Sequence, residues 1–214
     1  MDAWLFDLDG TLVDSRVDIA VSANHARATV GLGPRPQEEI FGFIGEGAER
    51  LIERTLGPGL AARVPAALAA WREHYERHML DHTRLYPGVL EALQALDGPR
   101  AIVTNKPGPS ARQLVQALGL DRLCPLVVGG GDVPEKKPDP ASVRLALSRM
   151  GADGRAVLVG DSRIDAATAR AAGIGFVGVL WGLGSREEME REGGRIFVER
   201  AGELPQACRR ALER

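Results

Sequence analysis

At 214 residues the chain is long enough for one large core, or for a core and a small accessory domain. Its apolar content of 44% and charged content of 26% are ordinary for globular proteins and exclude a disordered or fibrous class. A formal charge of -2, with the basic residues scattered, gives no field that would hold a nucleic acid or an anionic membrane.

The first predicted element is a short buried strand at residues 3–6, which runs into a tight turn at Gly10. Residues 1–7 have no basic start and too short an apolar run for a signal peptide. No apolar stretch elsewhere approaches the roughly 18 residues of a membrane span. We therefore expect a cytoplasmic protein.

A helical segment follows the first strand. From Ser15, a candidate N-cap, to about His82 the apolar residues recur with helical spacing, interrupted by glycine and proline. The segment is therefore expected to be all-helical. We predict four helices in it, at residues 16–30, 37–43, 48–56 and 60–80.

Strands and helices alternate in the rest of the chain. We predict strands at residues 100–103, 126–128, 156–159, 176–179 and 195–198. We predict helices at residues 89–96, 110–118, 141–150, 164–172, 186–192 and 204–212. Because the strands are short and wholly apolar, they fit a parallel sheet covered by helices on both faces.

The predicted fold is thus an α/β protein with a doubly wound, Rossmann-like parallel-sheet core. Residues 1–14 and 84–214 would form this catalytic core, and residues 15–83 an all-helical cap domain inserted after the first strand. In such a sheet ligands bind beyond the carboxyl ends of the strands. The polar clusters of this sequence stand at those ends.

Two pairs of acidic residues belong to these clusters. Asp7 and Asp9 are two apart, so in extended backbone they point to the same side, and Gly10 lets a ligand approach the turn closely. Asp161 and Asp165 are four apart at the start of a predicted helix and share a face. Clustered carboxylates repel one another unless a cation intervenes, and oxygen ligands favour Mg²⁺. We therefore expect a magnesium site.

Groups suited to a phosphoryl group face these acids. Thr104 offers a hydroxyl, Asn105 an amide and Lys137 a positive charge, which together could hold three phosphoryl oxygens. The chain has three lysines against 24 arginines, and all three lie in the short stretches 104–107 and 136–140. A compact ammonium is suited to neutralising a phosphoryl group.

Four motifs occur in the order Asp7-Leu8-Asp9-Gly10-Thr11-Leu12, Thr104-Asn105-Lys106, Lys137-Pro138 and Gly160-Asp161-Ser162-Arg163-Ile164-Asp165. They resemble the motifs of the haloacid dehalogenase superfamily of phosphohydrolases and span nearly the whole chain. The second aspartate is similar to the phosphatase branch, because the dehalogenases themselves lack it. Residues 86–89 and 129–133, with the threonine-asparagine-lysine motif, resemble phosphoglycolate phosphatases.

This resemblance implies a role for each acidic residue. Asp7 would attack phosphorus and form an aspartyl-phosphate, while Asp9 would protonate the leaving alkoxide and then deprotonate water. Mg²⁺ would be held by the Asp7 carboxylate, the Asp9 backbone carbonyl and Asp161, with Asp165 supporting them. The phosphoryl group would be held by Thr104, Asn105 and Lys137.

Other residues have less definite roles. Residues 45–47 look like the family's specificity loop, from which Arg50 could meet a substrate carboxylate, although a plain turn between helices fits equally. Lys106 could pair with an acid or reach the substrate, whereas Lys136 is expected to face solvent. A helical face carrying His74, His78 and His82 is either a transition-metal site or, as we favour, a solvated surface.

The hypothesis is a Mg²⁺-dependent phosphomonoesterase for a small phosphorylated metabolite, 2-phosphoglycolate in particular. A sugar phosphomutase and an inorganic pyrophosphatase would use the same groups. A non-catalytic phosphate-binding module is disfavoured by Asp9, because a binder needs no proton shuttle. The sequence leaves monomer and homodimer open, and Cys124 and Cys208 are expected to be free thiols.

Overall fold

A computed structural model describes residues 1–152 and 154–213 of the chain. It contains eight strands within these residues: β1 Ala3–Phe6, β2 Val13–Asp14, β3 Arg84–Leu85, β4 Arg100–Pro107, β5 Leu126–Gly130, β6 Ala156–Gly160, β7 Gly175–Val179 and β8 Phe197–Val198. Six of them form one sheet in the order β5-β4-β1-β6-β7-β8, and every pairing in that sheet is parallel. The first strand of the chain therefore lies in the middle of the sheet.

Ten α-helices accompany these strands in the described residues: α1 Arg16–Thr29, α2 Gln37–Phe41, α3 Ala48–Leu56, α4 Val64–His78, α5 Val89–Gln94, α6 Gly108–Ala117, α7 Ala141–Met150, α8 Arg163–Ala172, α9 Arg186–Arg191 and α10 Leu204–Leu212. No helix in these two ranges has the length and apolar character that a bilayer crossing requires. Cys124 and Cys208 are buried free thiols.

Both faces of the sheet are buried. Along β1, Trp4 and Phe6 belong to the larger apolar cluster, whereas Leu5 belongs to a second cluster with Val143 of α7 and Ala169 of α8. Alternate residues of a strand point to opposite faces, so this division places helices on both sides of the sheet. The predicted parallel, doubly wound α/β core is confirmed.

A short antiparallel ladder was not predicted. β2 pairs with β3, so that Val13 stands opposite Leu85 and Asp14 opposite Arg84. Strands of two residues are too short to show an alternating pattern, and the sequence therefore carries no signal for them. The ladder joins the segments that immediately precede α1 and follow α4.

The helices α1 to α4, named the helical block from here on, lie between the two strands of that ladder along the chain. Their predicted 60–80 helix is divided into a 3-10 turn at Ala61–Arg63 and α4. Asp18 of α1 ties the end of the block down, because its carboxylate accepts the backbone N–H groups of His82 and Thr83 and the Thr83 hydroxyl. The division into core and cap at residues 15 and 83 stays a prediction.

Candidate active site

Asp7 and Asp161 lie side by side because they follow neighbouring strands. β1 and β6 are in parallel register with Phe6 opposite Val159, and the Asp7 N–H donates to the Val159 carbonyl oxygen at 2.9 Å. Both acids are buried, with 8% and 2% of their surface exposed. The sheet thus unites two acidic residues that are distant in the chain.

The turn after Asp9 passes close to Asp161. Gly10 has a φ of +88°, and a Cβ at this position would lie 2.3 Å from Asp161 Oδ2, so no larger residue fits. The Thr11 hydroxyl donates to Asp161 Oδ1 at 3.0 Å, and the Leu183 N–H donates to Oδ2 at 2.7 Å. Asp161 is therefore fixed between this turn and the loop after β7.

Lys137 is buried between two of the acids. Its Nζ donates to Asp165 Oδ1 at 2.6 Å and lies 2.8 Å from Asp7 Oδ1. The side chain of Asn105 holds the Lys137 backbone, accepting its N–H at 2.8 Å and donating to its carbonyl oxygen at 3.0 Å. The second amide proton of Asn105 goes to the Gly45 carbonyl oxygen. The side chain of Asn105 therefore holds Lys137 here, and its contact with a phosphoryl group stays a prediction.

Asp165 is held by the start of α8. Ser162 is the N-cap residue, and its hydroxyl and backbone N–H both donate to Asp165 Oδ2, at 2.6 and 3.2 Å. The other oxygen accepts from Lys137. Because both of its oxygens already accept hydrogen bonds, we assign Asp165 the role of orienting Lys137 beside the acidic cluster.

Three carboxylates and one ammonium share this buried centre. Asp7, Asp161 and Asp165 offer oxygens that all lie within 4.8 Å of one another. Burial raises the pKa of Asp7 to about 6, with Lys137 opposing and Asp165 reinforcing the shift. Burial, and then repulsion from Asp165 and Asp7, raises the pKa of Asp161 to about 7. One ammonium cannot balance three carboxylates, so this all-oxygen donor set fits a hard divalent cation such as Mg²⁺.

Asp9 lies outside that cluster and has its own cation. Lys106 Nζ donates to the two Asp9 oxygens at 2.9 and 3.1 Å, and also to the Tyr75 hydroxyl oxygen at 2.8 Å. Ser15 is the N-cap residue of α1, as predicted, but its hydroxyl makes no capping bond and donates instead to Asp9 Oδ1. Burial lowers the pKa of Lys106, but Asp9 and Tyr75 more than reverse this, so its pKa is raised overall. Lys106 thus pairs with an acid, which was one of its two expected roles.

The acidic centre adjoins two spaces. A cavity of about 40 Å³ has room for a few water molecules only, and Thr104, which is 4% exposed, contributes to its wall. Next to it is a cleft of about 250 Å³ that shares Asp7 and Asp9 with the cavity. Glu46 lies in the helical block and forms an ion pair with Arg54 of the same block at 2.6 Å and one with Arg163 of α8, outside the block, at 3.2 Å. The cavity wall consists of Asp7, Asp9, Ile19, Ile44, Gly45, Gly47, Ala48, Leu51, Trp71, Thr104, Asn105, Lys106 and Pro107.

Residues 4–179 match the sequence profile of the haloacid dehalogenase-like hydrolases. The chain belongs to this family. The match covers β1 to β7 and all four motifs, and it confirms the resemblance that the motifs indicated.

Relatives of this hydrolase agree with the assignment. A phosphoglycolate phosphatase of Cereibacter sphaeroides is 38% identical over 219 residues, covering 99% of this chain and 100% of that protein. A phosphoglycolate phosphatase of Neisseria meningitidis is 36% identical over 86% of this chain and 82% of that protein. A crystal structure described as a predicted phosphoglycolate phosphatase from Haemophilus somnus superimposes with a TM-score of 0.87 at 28% identity, covering 95% and 96% of the two chains.

Arg50 and Lys136 of this hydrolase lie away from the acidic centre. Arg50 is mostly exposed, forms an ion pair with Glu53 at 2.7 Å, and lines an outer groove of about 540 Å³. Lys136 is exposed beside the same groove, as expected. A contact between Arg50 and a substrate carboxylate stays a prediction.

The histidine face of the hydrolase is a stack of rings. His74 lies between His25 and His78, with ring centroids 4.3 Å apart on each side. His82 lies beyond the end of α4 and contacts Asp18 through Nδ1 at 2.8 Å. The planes of neighbouring rings are 27° and 26° from parallel. Among the described residues, the acidic cluster is the sole group of three or more His, Cys, Asp or Glu side chains placed to hold a metal ion.

Two residues of the site, Ser15 and Tyr75, were not recognised as such from the sequence. Ser15 precedes a helix, where a serine is expected to cap it, so its contact with Asp9 had no distinguishing signal. Tyr75 is part of the ordinary apolar periodicity of a helix. Only the three-dimensional packing of α4 against the sheet reveals its contact with Lys106.

Proposed function

We propose that this hydrolase is a Mg²⁺-dependent phosphatase for a small phosphate monoester, that 2-phosphoglycolate is its substrate, and that it acts through an aspartyl-phosphate on Asp7. The observation that carries the proposal is the buried Asp7 carboxylate beside Lys137 and Asp161, at the carboxyl end of the central strand. The names of the relatives support the choice of substrate.

In the first step an Asp7 oxygen attacks phosphorus and forms an O–P bond as the ester O–P bond breaks. Lys137 stabilises negative charge on the transferring group, since its ammonium already lies 2.8 Å from Asp7. The Thr104 hydroxyl and the backbone at Gly10 hold the phosphoryl oxygens. Asp9, which carries a proton when the substrate is bound, gives that proton to the leaving alkoxide and becomes a carboxylate.

In the second step Asp9, now ionised, removes a proton from water as the water oxygen attacks phosphorus. The Asp7–phosphorus bond breaks, and inorganic phosphate leaves. Asp7 and Asp161, with the Asp9 carbonyl oxygen and with Asp165 in support, would hold Mg²⁺, which when bound would supply positive charge to offset the crowded carboxylates and the phosphoryl oxygens.

The helical block, within residues 15–83, acts in this proposal as a cap over the site. The cavity of about 40 Å³ is too small for a phosphate ester, so the substrate occupies the adjoining cleft of about 250 Å³ as well. Apolar side chains of the block, Ile44, Leu51 and Trp71, line the cavity. Such a lining excludes water from the reacting atoms and restricts the organic part of the substrate to a small group.

Phosphate release tests the proposal. The purified protein is assayed with 2-phosphoglycolate, glucose 1-phosphate and pyrophosphate, with Mg²⁺ and with EDTA. Release from 2-phosphoglycolate that EDTA abolishes is expected. Release from pyrophosphate alone, or isomerisation of glucose 1-phosphate, would instead favour the pyrophosphatase or mutase alternative.

A pair of variants tests the nucleophile. Asp7→Asn should abolish turnover with the fold intact. Asp132→Asn is the matched control, because Asp132 follows β5 but pairs with Arg112 at 2.7 Å. Substantial turnover by Asp7→Asn in Mg²⁺ would exclude the assigned nucleophile.

A further inference from the structure

The helical block places the hydroxyl group of Tyr75 in the candidate active site, at the carboxyl ends of the strands. Tyr75 belongs to a buried stripe on α4 with Ala67 and Trp71, and it is fully buried. Its ring stacks on Trp71, with centroids 4.8 Å apart and planes 6° from parallel. Packing against Trp71 thus fixes the position and the orientation of the Tyr75 ring, and with them the direction of its hydroxyl group.

That hydroxyl completes the donor set of Lys106. A lysine ammonium has three N–H donors, and Lys106 Nζ contacts the two Asp9 oxygens and the Tyr75 oxygen, at 2.9, 3.1 and 2.8 Å. The Lys106 side chain is 3% exposed, so water does not substitute for these partners. Within the part of the chain that the structure describes, Lys106 therefore has no donor left for a substrate, and its one carboxylate partner is Asp9.

The arrangement is costly if its purpose is stability alone. A buried ion pair loses hydration that its attraction barely repays, and apolar side chains of the same volume often stabilise a protein as well or better. Asp9, in contrast, must present one oxygen to the leaving group in a defined direction. Lys106 can orient Asp9 in this way because its ammonium group is itself fixed by the hydrogen bond to Tyr75.

We propose that Tyr75 is a positioning residue for Asp9, which it aligns through Lys106, so that the helical block supplies part of the acid–base apparatus. The inference rests on the proposed function, in which Asp9 protonates the leaving oxygen as the P–O bond breaks. Loss of the alignment impairs this proton transfer and leaves the attack of Asp7 intact.

The basicity of the leaving group makes the role measurable. An alkoxide such as that of 2-phosphoglycolate needs the proton from Asp9, whereas p-nitrophenolate leaves without one. The ratio kcat/KM covers the steps up to departure of the first product, so it is not affected by the later attack of water. Phenyl phosphate, with an intermediate leaving group, separates basicity from molecular size.

The experiment compares Tyr75→Phe with the wild type in Mg²⁺. For Tyr75→Phe, kcat/KM should fall about tenfold with 2-phosphoglycolate, less with phenyl phosphate, and under about twofold with p-nitrophenyl phosphate. Met79→Leu is the control, since Met79 is buried one turn further along the same stripe and carries no polar hydrogen. An equal loss with all three esters, or no loss, overturns the proposal.

Lys106→Met provides the second test if Tyr75→Phe does not fold. It should show the same selective loss on its own. Where Tyr75→Phe does fold, adding it to Lys106→Met should change the ratio between esters no further. A further selective loss in the double variant would show that Tyr75 does not act through Lys106. If the wild type hydrolyses none of the esters, the proposed function fails, which is a separate result from an unselective Tyr75→Phe.

Discussion

Replacing Lys137 by methionine tests directly whether its ammonium group compensates the charge of the buried carboxylates. The side chain is 2% exposed and is within 2.8 Å of both Asp7 and Asp165. Removing one partner of a buried ion pair destabilises a protein by about 3–5 kcal/mol, because a buried charge is left uncompensated. This loss is a large part of the free energy of unfolding of a typical domain, which is roughly 5–15 kcal/mol.

The loss should depend on pH in a direction that follows from the raised carboxyl pKa values. A carboxyl group whose folded pKa lies above its unfolded value destabilises the fold as soon as the pH is high enough to ionise it in the unfolded chain. The destabilisation is absent below about pH 4, grows as pH rises towards the folded pKa, about 6 for Asp7 and about 7 for Asp161, and is constant above that pKa. Without Lys137 these values rise further, so the stability gap to the wild type should widen from pH 5 to pH 8.

Urea unfolding in EDTA at pH 5 and pH 8 measures the gap. Lys136→Met is the matched control, since it removes the same charge from the neighbouring, exposed lysine. Mg²⁺ should restore part of the stability of Lys137→Met at pH 8, because a ligand that binds the folded state stabilises it. A gap below about 1 kcal/mol at pH 8, or one that does not shrink at pH 5, would refute the reasoning.

Three further substitutions probe separate parts of the site. Gly10→Ala places a Cβ 2.3 Å from an oxygen of Asp161 and should lower kcat about a hundredfold, with an unchanged circular dichroism spectrum; a rate near that of the wild type would contradict the close approach. Asn105→Ala removes both contacts to the Lys137 backbone, so kcat with 2-phosphoglycolate should also fall about a hundredfold in a steady-state assay; an effect on KM alone would argue against a positioning role. Asp18→Ala leaves buried donors unpaired at the end of the helical block and should cost about 2–4 kcal/mol in urea unfolding; a change under 1 kcal/mol would mean that this anchor is dispensable.

Much of the sheet was predictable because its strands are buried on both faces. The apolar run at 157–159, for example, has no polar residue to spoil the pattern, and β6 extends one residue beyond the predicted segment at its end. The same rule predicted the position of the acids, since Asp7 and Asp161 follow such strands directly. Their adjacency then follows from the parallel register of β1 and β6.

The unpredicted parts depend on contacts between distant side chains. The sequence does not show whether Lys106 contacts an acid or a substrate, because one of its hydrogen-bond partners, Tyr75, lies on the distant helix α4. Asn105 follows the predicted strand at 100–103, where its amide looks free to bind a ligand, yet it lies within β4 and its amide is occupied by the backbone of Lys137. Neither outcome has a local pattern, because Tyr75 comes from the helical block and Lys137 from the segment before α7, both far from β4 in the sequence.

The β2–β3 ladder has a consequence for how this chain tolerates change in length. Both passages of the chain between the helical block and the sheet run through these four residues, hydrogen-bonded to each other. Inserting or deleting a single residue in either passage would slip the pairing by one and turn the side chains there to the opposite side. The number of residues in the two segments around positions 13–14 and 84–85 is therefore constrained, whichever amino acids occupy those positions.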